Sequence, residues 1–297
     1  MKSKMQYSFE DNIVEVKPNV KKELQFYRLQ FLEKMNCNGV IIKQEIIKNV
    51  HLTITKIENV GFEYHIEVFD TTLRNRTLSL SEKDLIAQIA SITDDVKIIV
   101  DENFNFIKIK NFDLIKSKAN QKFKILSKKY LGEKANRLFE YLQKYYKDEK
   151  LIYNDLQRYD KYGFLLIKFL GYYRFGKNHK YTIRYTNFLK NTFLEIDETV
   201  KMTKLNREIE EVELKLKGEI NTSKYNKKMF EREMKVQNIF FDEVNDNLTL
   251  NKYEGVFNFN TKTGKINNAK LNIHVSFGEN YSKEIDYQLS SLLPHEV

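Results

Sequence analysis

The sequence predicts an α+β fold in which antiparallel β-sheets flank a central helical block. Three observations carry this expectation. From residue 113 to about 190, apolar side chains recur mostly at helical spacing. On either side the pattern changes to alternation, the mark of half-buried strands. The totals then exclude other classes: 297 residues, 41% of them hydrophobic and 13% aromatic, are enough to bury a core and too apolar for a disordered chain. The chain is expected to divide into residues 1–112, 113–180 and 181–297, folded separately or as one unit. Each sheet can curl around a helix as a half-barrel.

Residues 20–35 place Leu24, Tyr27, Phe31 and Met35 at helical spacing, with Pro18 just before. They are expected to form an amphipathic helix that stops at 36–39. Strands are expected at 40–47, 51–57 and 62–69, the last alternating Phe62, Tyr64, Ile66 and Val68 against Glu63, His65 and Glu67. Residues 80–92 read as a helix capped by Ser81, with Asp84 three residues on. Residues 96–100 and 104–109 flank Asp101-Glu102-Asn103 as a hairpin. Asn111 or Asp113 then caps the long block.

Inside the block a first helix carries Ile115, Ala119, Phe123, Leu126 and Tyr130 and ends at Gly132. A second is expected over 133–147, and a third over 148–162, stopped by Gly163. Residues 164–175 fit either a buried helix or a strand. Beyond them, strands are expected at 181–185, 192–202 and 212–220, then a helix over 223–236 with Lys227 and Glu231 one turn apart. A closing meander occupies 253–260, 265–275 and 281–289. The two flanks share this plan without residue-level identity, which leaves an internal duplication open.

Chemistry is hard to find. His51, His65, His179, His274 and His295 are far apart in sequence, and Cys37 has no neighbouring cysteine or histidine. That spacing suggests no metal site, and a single cysteine rules out an intrachain disulfide. No phosphate-loop, dinucleotide or nucleophile-elbow motif occurs. The acidic pairs Asp94–Asp95, Asp101–Glu102 and Glu210–Glu211 belong to turns and edges, because adjacent side chains point to different faces. Neither catalysis nor a cofactor is expected. The basic start meets Glu10, Asp11 and Glu15 within a few residues, and no apolar run approaches the length of a membrane span. A soluble cytoplasmic protein is expected, with signal-less export left open.

Charge is the clearest functional lead. Residues 113–190 hold nineteen Lys or Arg against seven Asp or Glu, a formal charge of +12, within a chain of net +9. The candidate basic surface comprises Lys116, Lys118, Lys122, Lys124, Lys128, Lys129, Arg137, Arg174 and Arg184. Charge of this kind steers an acidic protein partner, so a non-enzymatic adaptor, chaperone or accessory subunit is the favoured function. Nucleic-acid binding by the same block is the alternative. Against it, most of the tyrosines share a stripe with leucines, and lysines far outnumber the arginines that fork onto phosphates. A carrier of an apolar ligand in a curled sheet is the third reading.

The hairpin-to-helix stretch 96–118 (VKIIVDENFNFIKIKNFDLIKSK) resembles a motif of uncharacterised Bacteroidota proteins. The matching residues are Val100, Asp101, Ile107, Ile109, Asn111 and Ile115. Some of those proteins lie near contractile or spike-type secretion genes, and the resemblance implies an accessory or adaptor role in such an assembly.

Overall fold

Strand accounts for 50% of the chain and helix for 23%, so antiparallel sheet dominates the α+β fold and the helical block is small. The computed structural model describes residues 13–18, 20, 24–166, 170–186, 189 and 192–293. In chain order they form β1 (Ile13–Val16), β2 (Gln25–Cys37), β3 (Val40–Ile57), β4 (Gly61–Asn75) and α1 (Leu80–Ala90). Next come β5 (Asp95–Asp101), β6 (Phe106–Ile109), α2 (Phe112–Lys129), α3 (Glu133–Tyr145) and α4 (Glu149–Leu156). Strands β7 (Gly171–Arg174), β8 (Asn178–Thr186), β9 (Phe193–Asn206) and β10 (Glu211–Ile220) lead to α5 (Lys227–Val236). The last described elements are β11 (Leu248–Asn260), β12 (Ile266–Phe277) and β13 (Tyr281–Leu292).

These elements pack as two units. Unit 1 takes Met1–Asn19, Glu33–Ile42 and Phe169–Gln288; unit 2 takes Val20–Leu32, Lys43–Lys168 and Leu289–Val297. The chain passes from one to the other inside β2, β3 and β13, so the units cut across the three expected segments.

In unit 2, β3, β4, β5 and β6 pair antiparallel in that order, with the first part of β2 beside β3. Alternation buries Tyr27, Leu29, Val50, Leu52, Ile54, Tyr64, Ile66, Val96 and Ile98. The helices bury matching stripes: Ile115, Ala119, Phe123 and Leu126 on α2, Phe139 and Leu142 on α3, and Ile152, Tyr153 and Leu156 on α4. Tyr153 stacks on Phe106 with ring centres 3.9 Å apart, joining α4 to β6. Each large apolar side chain sealed this way contributes roughly 1.5–3 kcal/mol.

Several expectations need correction here. The helix expected at 20–35 is strand β2. Its apolar residues fit both periods, but Gln25, Tyr27, Leu29 and Phe31 are buried while Arg28 and Leu32 are exposed, and sheet pairing overrides helix propensity. The two strands expected at 40–47 and 51–57 are one, with a bulge at Asn49/Val50 in place of a turn. Helix α1 is capped by Ser79 rather than Ser81. The Ser79 hydroxyl accepts from the Glu82 N–H, and the Glu82 carboxylate accepts from the Ser79 N–H. Asp84 is thereby left for Lys129 and Tyr130, which reach it at 2.7 and 2.9 Å. Helix α4 ends at Leu156 instead of 162. In the ambiguous stretch, 171–174 is strand and 167–169 lies outside the described residues. Helix α5 begins at Lys227, capped by the Asn226 side chain, rather than at Ser223.

In unit 1 the strands run β13, β12, β11, β10, β9, β8 across one antiparallel sheet. A short ladder pairs β1 with β7. The inner sheet face is apolar over most of its extent, with Val200, Met202, Leu214, Leu216, Phe257, Phe259, Leu271, Val275 and Phe277 at 3% exposure or less. Helix α5 buries Phe230 and Met234.

Candidate functional site

The inner face of the unit 1 sheet is the candidate site. Its ladder shifts register at Glu213/Leu214, Leu250/Lys252 and Asn258/Phe259. Bulges bend a strand and strengthen its twist, and glycines where a side chain would meet a neighbour allow close approach. Gly218 and Gly255 sit in the middle of this sheet. A Cβ on Gly218 would lie 2.4 Å from the Tyr253 ring, and one on Gly255 would lie 3.1 Å from the Lys270 carbonyl.

Three charged or polar side chains stand in phase with the apolar rows. Glu198 on β9 alternates with Ile196, Val200 and Met202 and is 1% exposed. Gly218 pairs directly with Glu198 in the ladder. The Tyr253 ring crosses the space that a side chain at 218 would fill, and its hydroxyl donates to Glu198 Oε1 at 2.5 Å. A buried carboxylate needs such a donor, because desolvation without hydrogen bonds is costly. On β13, Tyr281 and Lys283 alternate with Ile285, Tyr287 and Leu289, all buried. Lys283 pairs with Glu33 at 2.8 Å. Tyr281 Oη is buried with no hydrogen-bond partner among the described residues. Burial holds this phenol far above its ordinary pKa, with Cys37 and Glu33 adding to the effect.

Unit 2 has its own buried charge. Lys48 is 7% exposed and in phase with Val50, Leu52 and Ile54 on β3. Its Nζ lies over the Tyr162 ring, 5.3 Å from the centroid, and Tyr162 Oη donates to the Thr93 carbonyl at 3.0 Å. No carboxylate among the described residues reaches ion-pair distance of Lys48. Asp155 and Asp160, which act on it at longer range, are held by Arg158 at 3.1 and 2.8 Å. Burial, reinforced by Lys161, pulls the ammonium pKa down to about 8.

The basic residues singled out from sequence are spread over both units: Lys116 through Arg137 fall in unit 2, Arg174 and Arg184 in unit 1. On α2, Lys122 donates to Gln88 Oε1 at 3.0 Å and to Ser91 Oγ at 2.7 Å, and Lys129 pairs with Asp84 while lying over the Tyr130 ring. Lys116 and Lys118 are half-buried; Lys124 and Lys128 are exposed. Arg137 pairs with Glu133 one turn earlier. Arg174 is half-buried opposite Ile13. Arg184 pairs with Glu195 at 2.7 Å and lies over Phe193 at 4.4 Å. The structure therefore gathers Lys116, Lys124 and Lys128 within about a third of the α2 circumference, and turns Lys122 and Lys129 towards α1.

Sequence reasoning missed Glu198, Lys283 and Lys48. The signal was present in each case: a charged residue where an alternating strand calls for an apolar one.

No family model and no curated protein sequence matches the chain. Among solved structures, one on lipid–protein interactions in lipovitellin is similar at 10% identity and TM-score 0.47, over 94% of this chain and 26% of that one. The chain thus spans about a quarter of the length of that protein. A putative outer membrane lipoprotein-sorting protein domain from Vibrio parahaemolyticus is similar at 6% identity and TM-score 0.15, over 93% and 89% of the two chains. An outer membrane channel from Pseudomonas putida F1 gives 6% identity and TM-score 0.19, over 94% and 98%. These similarities are too distant to assign a family or a ligand. No helix among the described residues is long and apolar enough to cross a membrane.

Proposed function

We propose that unit 1 is a half-barrel carrier that takes an acyl chain against its inner sheet face, displacing helix α5, without performing chemistry on it. The observation behind this reading is the inner face itself: wide, apolar and bent by three register shifts. Strands of 12–14 residues run roughly 40 Å, whereas a ten-residue helix is about 15 Å long. Undocking Phe230 and Met234 costs roughly 3–6 kcal/mol. At ~0.8 kcal/mol per methylene, a chain of about sixteen carbons recovers ~12 kcal/mol. The ligand wins that exchange. Tyr281 Oη, a buried donor without a partner among the described residues, suits the carboxylate or ester oxygen at the head of such a chain.

The test is uptake of a naphthylamine dye by the purified full chain, followed by displacement with palmitate, alongside native mass spectrometry of the protein as isolated. Saturable uptake is expected, with palmitate competing, tighter dye binding in the Phe230→Ala/Met234→Ala double variant, and weaker palmitate competition in Tyr281→Phe. If neither wild type nor the double variant takes up dye, and no acyl species travels with the protein, the carrier reading fails.

A second reading has its own observation. Lys116, Lys124 and Lys128 share one side of α2 and make no ion pair among the described residues, so that side suits an acidic protein. Charge reversal at Lys124 and Lys128 then abolishes salt-sensitive capture of a partner and leaves dye uptake intact. Capture that survives the reversal removes this reading.

A further inference from the structure

The outer face of the unit 2 sheet carries a second, chemically distinct cluster. His65 and Glu67 stand two apart on β4 and so share a face, and Asp95 on β5 is directly opposite Glu67 in the antiparallel ladder. The register brings one imidazole and two carboxylates together. His65 Nε2 lies 3.0 Å from Asp95 Oδ1 and 3.8 Å from Glu67 Oε1, and one ligand atom from each residue falls within 4.8 Å of the others. Around Zn²⁺, ligand atoms sit about 2.0–2.2 Å from the ion, which puts tetrahedral edges at roughly 3.3–3.6 Å. The two His65 separations bracket that value, and Glu67 and Asp95 come within 4.8 Å of one another, so side-chain rotations have to close the site.

The supports are rigid. All three residues lie on paired strands rather than in a loop. The end of β5 is pinned by Asn111, whose Nδ2 donates to the Asp95 carbonyl and whose Oδ1 accepts from the Lys97 N–H. Immediately across β4, Val68 N–H donates to the Asp94 carbonyl at 2.7 Å. Lys110 is engaged by Glu63 at 2.6 Å. Lys97, opposite His65 in the ladder, is the neighbouring positive charge that the ion has to tolerate. His65 is about a quarter exposed, whereas the two carboxylates are about half exposed, so the ion would meet the protein on one side and water on the other.

From this we infer that His65, Glu67 and Asp95 form a binding site for a first-row divalent transition ion of the Zn²⁺ type, with its outward position left to solvent. The donor set decides the class. An imidazole nitrogen selects against Mg²⁺ and Ca²⁺, which take oxygen ligands, and two carboxylates supply the charge that a lone histidine lacks.

Calorimetric titration of the untagged full chain with Zn²⁺ alone tests the inference. One ion per chain is expected, with binding in the micromolar range, at least about tenfold weaker in His65→Ala and in Asp95→Asn, and no heat with Mg²⁺. Co²⁺ in place of Zn²⁺ is expected to give a visible absorption band that disappears in both variants, with far-ultraviolet dichroism confirming that they remain folded. Absence of saturable Zn²⁺ binding overturns the site, as does binding that His65→Ala leaves unchanged. Dye uptake by unit 1 is read separately and does not depend on this result.

Discussion

Glu198 in unit 1 and Lys48 in unit 2 are each buried beside a tyrosine, but the two use different parts of it. In unit 1 the Tyr253 hydroxyl donates to the Glu198 carboxylate. In unit 2 the ammonium of Lys48 faces the ring of Tyr162, whose hydroxyl is already committed to the Thr93 carbonyl. The anion thus receives a charge-assisted hydrogen bond, worth about 1.5–3 kcal/mol. The cation receives the ring quadrupole, at most about 2 kcal/mol when desolvated, and the longer-range pull of Asp94, Asp160 and Asp155. Lys48 gives up its proton near pH 8 instead of near 10.5.

Substitutions at each centre can break or sharpen this contrast. The largest effect is expected at Gly218, since even a Cβ would lie 2.4 Å from the Tyr253 ring and expel it. Gly218→Val is expected to cost roughly 3 kcal/mol in urea denaturation. A variant of wild-type stability would show that the ring does not depend on this gap. Tyr253→Phe keeps the ring and removes only the donor, so a loss of about 2 kcal/mol at pH 7 is expected. If the loss is negligible, Glu198 does not rely on this bond.

Lys48→Met carries the smallest effect at neutral pH, and its sign is opposite. Relief of the desolvation cost, about 3 kcal/mol from the lowered pKa, outweighs loss of the ring contact, leaving the variant about 1 kcal/mol more stable. Because the folded-state pKa is depressed, both folded and unfolded lysine are charged below about pH 8, and the cost is then fully present. Between about 8 and 10.5 the unfolded chain holds the extra proton, so wild-type stability rises with pH relative to the variant. Parallel urea midpoints for the two proteins across this window provide the check. A constant gap would mean that Lys48 stays charged.

Much of the fold was legible where pattern and neighbour agreed. The stripe of α2 and the closing strands β11 to β13 follow from spacing alone, because each buries one face more than the other, and the hairpin of β5 and β6 follows from its turn residues. Strand β2 was not legible, since Tyr27, Phe31 and Met35 satisfy a helical period as well as an extended one, and only its place beside β3 decides. The cap of α1 was misread by two residues because Ser79 and Ser81 each precede an acidic residue three positions on, and the sequence does not say which carboxylate Lys129 will take.

The candidate sites divide in the same way. Glu198, Lys283 and Lys48 each interrupt an apolar alternation within a single strand, so they stood in plain view. The relation between Tyr253, Gly218 and Glu198, like that between His65, Glu67 and Asp95, exists only across strands. Register creates it, and no local pattern encodes register.

The ring lying over Gly218 also constrains how this protein can change over generations. Positions 198, 218 and 253 are linked: a side chain gained at 218 evicts the ring at 253, and the eviction removes the Tyr253 hydroxyl from the carboxylate at 198. None of the three is free to drift by itself. Among homologues, the expected signature is joint replacement, with glycine, tyrosine and glutamate retained together or exchanged together for a plain apolar row.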